Sequence, residues 1–388
     1  MGIAKEVTVA SSNGSNGHRK LVVVQLSGGN DALNTVVPYA DGHYYDNRPT
    51  VSIPQDNVIQ IDDNIGLRPG MEAFKRLWDE GKLAIIQGIG YPNPNRSHFR
   101  SMDIWHTALP DDIGNEGWLG RAIRDMDPKS ENVLTGVNFG RGLPRALGVR
   151  GVPVASVGNL ETYGLFPDIK DEFLRKFALE TFSKMYGGER GNDAVLDFLG
   201  QTGEDALKGA DILRTGPEKY SSTIEYASNP IANDLKSAAQ VMFADLGTRI
   251  FYTSHGGYDT HSGELATHEK LWGEVAPAIG DFIDDMDEHN QGDDTAMLVF
   301  TEFGRRIKDN GSGTDHGSGG MAFVIGNKVK GGLYGEYPSL KDEDQLEGDL
   351  HANNDFRITY TSLLEDWLGL EAAPIVNGQF ESFDLFKN

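Results

Sequence analysis

The chain contains no cysteine. That absence excludes disulfides, thiolate zinc centres, iron–sulfur clusters and cysteine nucleophiles together. Any metal must be held by Asp, Glu, His or hydroxyl groups. Compartment is left open, because a cysteine-free protein is stable on either side of a membrane. Basic residues are also few: 35 Lys and Arg stand against 58 Asp and Glu, a formal net charge of −23 over 388 residues. Nucleic acid is a poor partner, because binding it would require a concentrated basic patch, and no nucleic-acid partner is expected. Long apolar runs are missing as well. The longest, such as Leu21–Leu26 and Ala296–Phe300, fall far short of the roughly 20 residues that a transmembrane helix needs. There is no Gly-x-Ser-x-Gly elbow and no Walker phosphate loop, and Gly28-Gly29-Asn30-Asp31 lacks the spacing of a dinucleotide-binding turn.

What is present suits one globular α/β domain. Hydrophobic residues make up 38 % of the chain, enough for a substantial core. A polar leader, residues 1–19, carries Ser11-Ser12-Asn13-Gly14-Ser15-Asn16-Gly17 and no apolar h-region, so it is not an intact secretory signal. The location is periplasmic or extracellular if a signal was removed, and otherwise cytoplasmic. Residues 20–388 alternate buried strands with helices. Strands are expected at Leu21–Leu26, Lys82–Gln87, Val152–Val157, Thr248–Thr253, Ala296–Phe300 and Met321–Ile325. Helices are expected over Gly70–Glu80, Ser97–His106, Glu264–His289 and Asp355–Leu368. A helical insertion occupies about 168–245, with segments Asp171–Met185, Asp193–Leu207 and Ile231–Asp245. This pattern predicts a mostly parallel central sheet with helices on both faces, whose ligand site lies beyond the carboxyl ends of the strands.

Four loops in such positions carry Asp31, Asp259 with His261, Glu302 and His316. In an extended loop alternate residues point the same way, so Asp259 and His261 can reach one ion. His316 follows Thr314-Asp315 in a glycine-rich loop; alone it would be an ordinary surface histidine, but beside the other three it becomes a ligand candidate. Asp31 and Glu302 each read equally as a helix cap or charge partner and as a metal-binding carboxylate. Ser97 opens a helix, where developing negative charge is favoured and a hydroxyl can serve as nucleophile; serine is also a favoured N-cap. Arg100 and Arg305 are available to bind a substrate anion. Imidazole and carboxylate together suit zinc, manganese or iron, while a site richer in oxygen suits magnesium or calcium.

The segments Leu26-Ser27-Gly28-Gly29-Asn30-Asp31, Arg96-Ser97-His98-Phe99-Arg100-Ser101-Met102-Asp103, Gly257-Tyr258-Asp259-Thr260-His261, Glu302-Phe303-Gly304-Arg305-Arg306 and Thr314-Asp315-His316-Gly317 resemble, in the same order, the hallmark segments of a bacterial domain-of-unknown-function family, number 1501. That family is grouped with the alkaline-phosphatase and sulfatase superfamily. The resemblance runs from about Lys20 to Leu370. It implies an alkaline-phosphatase-like fold and a metal-dependent hydrolase of a phosphate, sulfate or related ester, acting on a small anionic ester or a glycan. Ser97 would be the nucleophile, Asp31, Asp259, His261, Glu302 and His316 would hold one or two divalent ions, and Arg100 or Arg305 would hold the substrate anion. The superfamily pattern has Asp-His where this chain has Glu302-Phe303, and phenylalanine cannot ligate a metal; a second ion needs His98 or Asp315 in its place. Two alternatives stand beside the hydrolase: a non-catalytic ligand- or glycan-binding protein on the same fold, and a metal-free serine hydrolase. The sequence is silent on oligomeric state.

Overall fold

In a computed structural model of the chain, residues 17–160 and 216–387 are described continuously, with residues 163, 171–186, 200, 203, 205, 209, 210, 212 and 213 between them. Most of the polar leader and most of the helix expected over Asp193–Leu207 lie outside the described residues. The main sheet is built from β1 (Lys20–Ser27), β5 (Leu83–Gly90), β6 (Gly136–Phe139), β7 (Ala155–Val157), β8 (Ile250–Gly256), β9 (Thr295–Thr301), β10 (Gly320–Ile325), β11 (Gly332–Tyr334) and β12 (Asn354–Asp355). Their order is β11-β5-β10-β9-β1-β8-β6-β7, with β12 also pairing to β5. A small second sheet joins β2 (Val36–Val37), β4 (Gly66–Leu67) and β3 (Ile59–Gln60).

The expected mostly parallel sheet is observed, with one reversal. Strand β10 runs antiparallel to both β5 and β9, whereas β1 is parallel to β8 and β9. This direction matters for the site. Register brings Leu26 level with His255 on one side and Thr301 on the other, so the loops leaving β1, β8 and β9 emerge together. Because β10 is reversed, the loop that enters it emerges at the same edge. Gly320, the first residue of β10, pairs with Ile89 near the end of β5, so the chain leaving β5 joins them. Five segments therefore converge on one sheet edge.

Both faces of the sheet are buried, as continuous apolar strands require. Along β1, Val22, Val24 and Leu26 face one core while Leu21 and Val23 face the other. The first core is closed by the helices Glu72–Asp79, Pro230–Phe243 and Glu264–Glu288, through Phe74, Leu235, Trp272 and Ile279. The second is closed by His98–Thr107, Trp118–Met126 and the Phe356–Thr361 helix with its π-helical continuation Ser362–Leu368, through Trp105, Leu119, Tyr360 and Trp367. Within the expected insertion, the helices Glu172–Tyr186, Gly216–Lys219 and Pro230–Phe243 are described. The last contributes a long buried face, so from Pro230 onward the chain covers the sheet directly.

Leu298 lies at the centre of β9 with no exposed surface. Leu298→Ala is expected to lower the unfolding free energy by roughly 2–5 kcal/mol, read from the urea midpoint at constant slope. A loss under about 1 kcal/mol would contradict a close-packed position there.

Candidate functional site

The five converging segments bring three histidines and one aspartate together. Nε2 of His316 and Oδ1 of Asp259 are 3.0 Å apart. Nε2 of His98 lies 3.0 Å from the first and 3.5 Å from the second. Nε2 of His261 lies 3.0 Å from each. The far nitrogen of every ring has its own acceptor. Nδ1 of His98 faces Glu302 Oε1 at 2.8 Å, Nδ1 of His261 faces Asp315 Oδ1 at 2.9 Å, and Nδ1 of His316 faces the carbonyl of Arg96 at 2.8 Å. An acceptor at Nδ1 fixes the neutral tautomer with hydrogen there, leaving Nε2 as a bare lone pair. Three lone pairs and a carboxylate oxygen thus face one another. Arg305 Nη1, 3.0 Å from Asp259 Oδ1, is the one donor directed at them among the described residues.

Local sequence explains how the segments approach so closely. Gly28 has φ +123°, and a Cβ there would stand 2.4 Å from the backbone nitrogen of Asp259; Gly29 has φ +72°, and a Cβ there would meet the Phe303 ring. Only glycine permits both the left-handed backbone and the contact. The Phe303 ring then lies against His98 and His316, with centroids 4.9 and 5.1 Å away.

Electrostatics follow from these partners. The hydrogen bond to Glu302 outweighs partial burial and raises the His98 pKa. Partial burial pushes Asp259 up, but the bond from the Arg305 guanidinium brings it below the ordinary carboxylate value. Asp315 is lowered first by its bond with His261.

The sequence candidates divide accordingly. Asp259, His261 and His316 meet, and His98 joins them as a full member of the cluster; His98, Asp259 and His316 offer ligand atoms within 4.8 Å of one another. Asp315 stands behind His261. Glu302 stands behind His98 with both oxygens engaged, Oε1 also by the Gly28 N–H at 2.9 Å and Oε2 by Thr301 Oγ1 at 2.9 Å, so it orients a ring and adds no atom to the cluster. Asp31 is elsewhere. It is fully buried in an ion pair with Arg48, whose guanidinium also donates to the carbonyls of Arg306 (2.8 Å) and Ile307 (2.9 Å). The pair braces the loop behind Arg305, and Asp31 is held well below the usual carboxylate range against the cost of burial. Arg100 is spent on Asp103 and on the carbonyls of Pro110 and Asp112, each at 2.8 Å, closing the loop that follows its helix. Arg305 is buried and bound to Asp259, the carbonyl of Gly28 and the carbonyl of Thr314, so neither arginine is free for a substrate anion.

Ser97 is the N-cap of the helix His98–Thr107 but makes no side-chain cap bond, and its hydroxyl is exposed without a partner among the described residues. It stands between Arg96, whose carbonyl holds His316, and His98. Arg48 and the Arg96 carbonyl escaped sequence reasoning. Arg48 lies in no motif, and a backbone acceptor carries no residue signal.

Residues 218–364 match the model of a family described as protein of unknown function, DUF1501, in agreement with the sequence motifs. No curated protein matches the chain in sequence. Among solved structures, the chain is similar to the C-terminal periplasmic domain of EptC from Escherichia coli in complex with zinc, at 9 % identity and TM-score 0.40, over 80 % of this chain and 74 % of that one. It is similar to a sulfatase from Pseudoalteromonas sp. at 12 % identity and TM-score 0.39, over 95 % and 71 %. It is also similar to a protein of the alkaline phosphatase superfamily from Vibrio parahaemolyticus, at 12 % identity and TM-score 0.36, over 93 % and 69 %.

Two measurements check the charge arrangement. In metal-free protein, Glu302→Gln is expected to lower the His98 pKa in an imidazole NMR titration; an unchanged value would remove Glu302 as its cause. Glu264 accepts bonds from Asn34 and Thr314 beneath the site, and burial together with Asp31 pushes it up to about 8. Between the ordinary value of 4.5 and about 8, the folded state keeps a proton that the unfolded state has released. Stability therefore falls as pH rises through that window. Glu264→Gln, which cannot ionise, is expected to flatten this decline in denaturant melts; a variant as pH-sensitive as the parent would overturn the assignment.

Proposed function

We propose that this chain is a divalent-metal-dependent hydrolase of a phosphate, sulfate or related ester, with His98, Asp259, His261 and His316 as ligands and Ser97 as nucleophile. The observation that carries the reading is the convergence of three Nε2 atoms on one carboxylate oxygen, each ring oriented from behind by a dedicated acceptor. Histidines that ligate metal are oriented in this way. Four mutually facing acceptors repel unless a cation or protons enter between them. Tetrahedral donors about 2.0–2.1 Å from a zinc ion stand roughly 3.4 Å apart; the atoms of His98, Asp259 and His316 stand 3.0–3.5 Å apart, and His261 lies 3.0 Å from the last two. Three nitrogen donors favour zinc or manganese over magnesium or calcium.

A cation in this position would supply Lewis-acid stabilisation of charge on the ester oxygens and a lowered hydroxyl pKa. The chain's own groups do the rest. Ser97 presents its hydroxyl at the N-terminus of a ten-residue helix, where unpaired N–H groups favour negative charge developing on the attacked centre. Glu302 and Asp315 hold His98 and His261 in one tautomer, and Arg305 fixes Asp259. Phe303, 3 % exposed, keeps water from one side of His98 and His316.

Phe303 also bears on the number of ions, because phenylalanine offers no ligand atom where the superfamily pattern that the motifs resemble has a histidine. One ion per chain is therefore proposed. The same residue favours a second reading, a binding protein on this fold that has no turnover.

Elemental analysis of protein purified without chelator is expected to give about one ion per chain, lost in His261→Ala and in His316→Ala. Ser97→Ala is expected to keep the ion and lose turnover of phosphate or sulfate monoesters by about a hundredfold or more. A wild-type protein that holds no metal after exposure to zinc and manganese would sink the assignment. Turnover insensitive to chelator would move it to metal-free serine hydrolysis, and metal without turnover to the binding protein.

A further inference from the structure

A cavity of about 870 Å³ lies beside the cluster, walled by the loop Tyr91–Arg96 on one side and by Leu346, Glu347 and His351–Asp355 on the other. Its volume is in the range of sites that enclose small organic ligands. It is joined to the cluster by bonds and not merely by proximity. The Asn95 side chain accepts from the Ser97 backbone N–H at 2.8 Å, and the Arg96 carbonyl accepts from His316 at 2.8 Å. The wall of the cavity and the proposed nucleophile are thus one continuous piece of chain.

The chemistry of the lining narrows the occupant. Arg96, the one lysine or arginine in the wall, is bound to Asp349 at 2.7 Å and 2.8 Å through two nitrogens. Asp355 is bound to Arg357 at 2.7 Å. An anion therefore finds no uncommitted lysine or arginine, and a cation finds Asp355 already neutralised. Glu347, its side chain 84 % exposed and 4.0 Å from Arg96, adds one carboxylate to the wall and further disfavours an anion; the other groups left over are uncharged hydrogen-bonding ones. The Asn93 side chain, the Asn95 Nδ2 amide and the His351 ring are exposed, and among the described residues none of the three has a hydrogen-bond partner. Pro92, Pro94, Ala352 and Leu346 supply apolar surface between them. Phe99, in the first turn of the helix that Ser97 caps, leaves its ring 90 % exposed. Neutral amides alternating with small apolar surfaces match a ring that carries hydroxyls on its edges and C–H groups on its faces.

We propose that this cavity is a subsite for an uncharged saccharide, the sugar part of the ester whose anionic group reaches the histidine cluster. As a leaving-group subsite it rests on the hydrolase reading of Ser97; as a saccharide site it stands on the cavity alone. The ester oxygen would lie at the junction of Asn95 and Ser97, with the sugar directed away from the cluster and the anionic group toward it.

Full-length protein is to be probed by saturation-transfer NMR with uncharged trisaccharides of glucose, galactose, mannose and N-acetylglucosamine, and with their 6-phosphate and 6-sulfate esters. The wild type is expected to bind at least one uncharged trisaccharide, and His351→Trp, which fills the cavity from an unpartnered position, is expected to weaken it by about tenfold or more. Leu346→Trp fills it from the same wall and is expected to act alike, so misfolding of one variant does not decide the outcome; bound metal reports that the histidine cluster is intact. His316→Ala is expected to lose metal and keep trisaccharide binding. No saccharide bound by the wild type, or binding undiminished in both tryptophan variants, overturns the subsite. If the wild type holds no metal and hydrolyses nothing yet binds a trisaccharide through this cavity, the hydrolase reading fails and the saccharide site remains.

Discussion

An imidazole can aim its Nε2 lone pair at a neighbour only while something holds its Nδ1 hydrogen. His98, His261 and His316 each have such a partner, and the three partners are of different kinds: a buried carboxylate, an exposed carboxylate and a backbone carbonyl. Without them each ring would be free to turn, and the shared approach to Asp259 would dissolve into ordinary surface hydrogen bonding. The cluster is therefore as much a property of Glu302, Asp315 and the Arg96 carbonyl as of the histidines themselves. Glu302 shows how deep the dependence runs. Its oxygens also take the Gly28 N–H and the Thr301 hydroxyl, so the ends of β1 and β9 and the start of the His98 helix are locked by one side chain. Removing it would leave several donors unsatisfied in a place that is 2 % exposed, a change of the kind that costs about 1–3 kcal/mol for each group.

The sheet makes this meeting geometrically possible. In a wholly parallel sheet, a loop that precedes a strand and a loop that follows one open at opposite edges. His316 precedes β10, while Asp31, Asp259 and Glu302 follow β1, β8 and β9. They share an edge because β10 is antiparallel. The reversal also lets the chain turn from β9 to β10 without a covering helix, and the residues so released form the bracing loop of Arg305, Thr314 and His316.

This contrast sets how much of the molecule was legible in its sequence. Strands β1, β5, β8, β9 and β10 declare themselves as short apolar runs bounded by glycine and polar residues, and the Glu264–Glu288 helix by its length and periodicity. Strand β6, Gly136-Val137-Asn138-Phe139, has a glycine and an amide among four residues and gives no such run. Strand direction has no local signature at all. At the site, proximity to a strand end identified Asp259, His261 and His316, and it equally nominated Asp31 and Glu302. A carboxylate inside the histidine cluster, one that orients a ring and one that neutralises a buried arginine have the same side chain and the same place after a strand. Arg48, 17 residues after Asp31 and outside every motif, decides the role of Asp31, and only the fold brings the two together. His98 was underrated for a related reason: it sits at a helix start, where a serine cap and an amphipathic helix already account for the pattern.

The charge of the whole chain sharpens what the site has to accomplish. At −23 the protein repels an anionic ester, although physiological salt confines that repulsion to roughly 8 Å. Inside that distance the arginines of the site are already paired, while Glu302 and Asp315 face histidine rings and leave two further carboxylates. Arg305 offsets Asp259, Arg48 offsets Asp31, Arg96 offsets Asp349, and Glu264 is biased toward its neutral form. Among the described residues of the site no arginine is left to attract the anion, which removes the commonest way of holding phosphate or sulfate. Attraction must then come from protonated imidazoles, from a cation among them, or from the N–H groups of the His98 helix, whose field does not extend beyond its first turn. Proton and cation compete for the same Nε2 atoms, so acid that charges the rings also displaces the ion. Under the proposed reading, a hydrolase built this way would depend on a metal for binding the anion as well as for activating the hydroxyl, and the two roles would fail together when the histidines are lost.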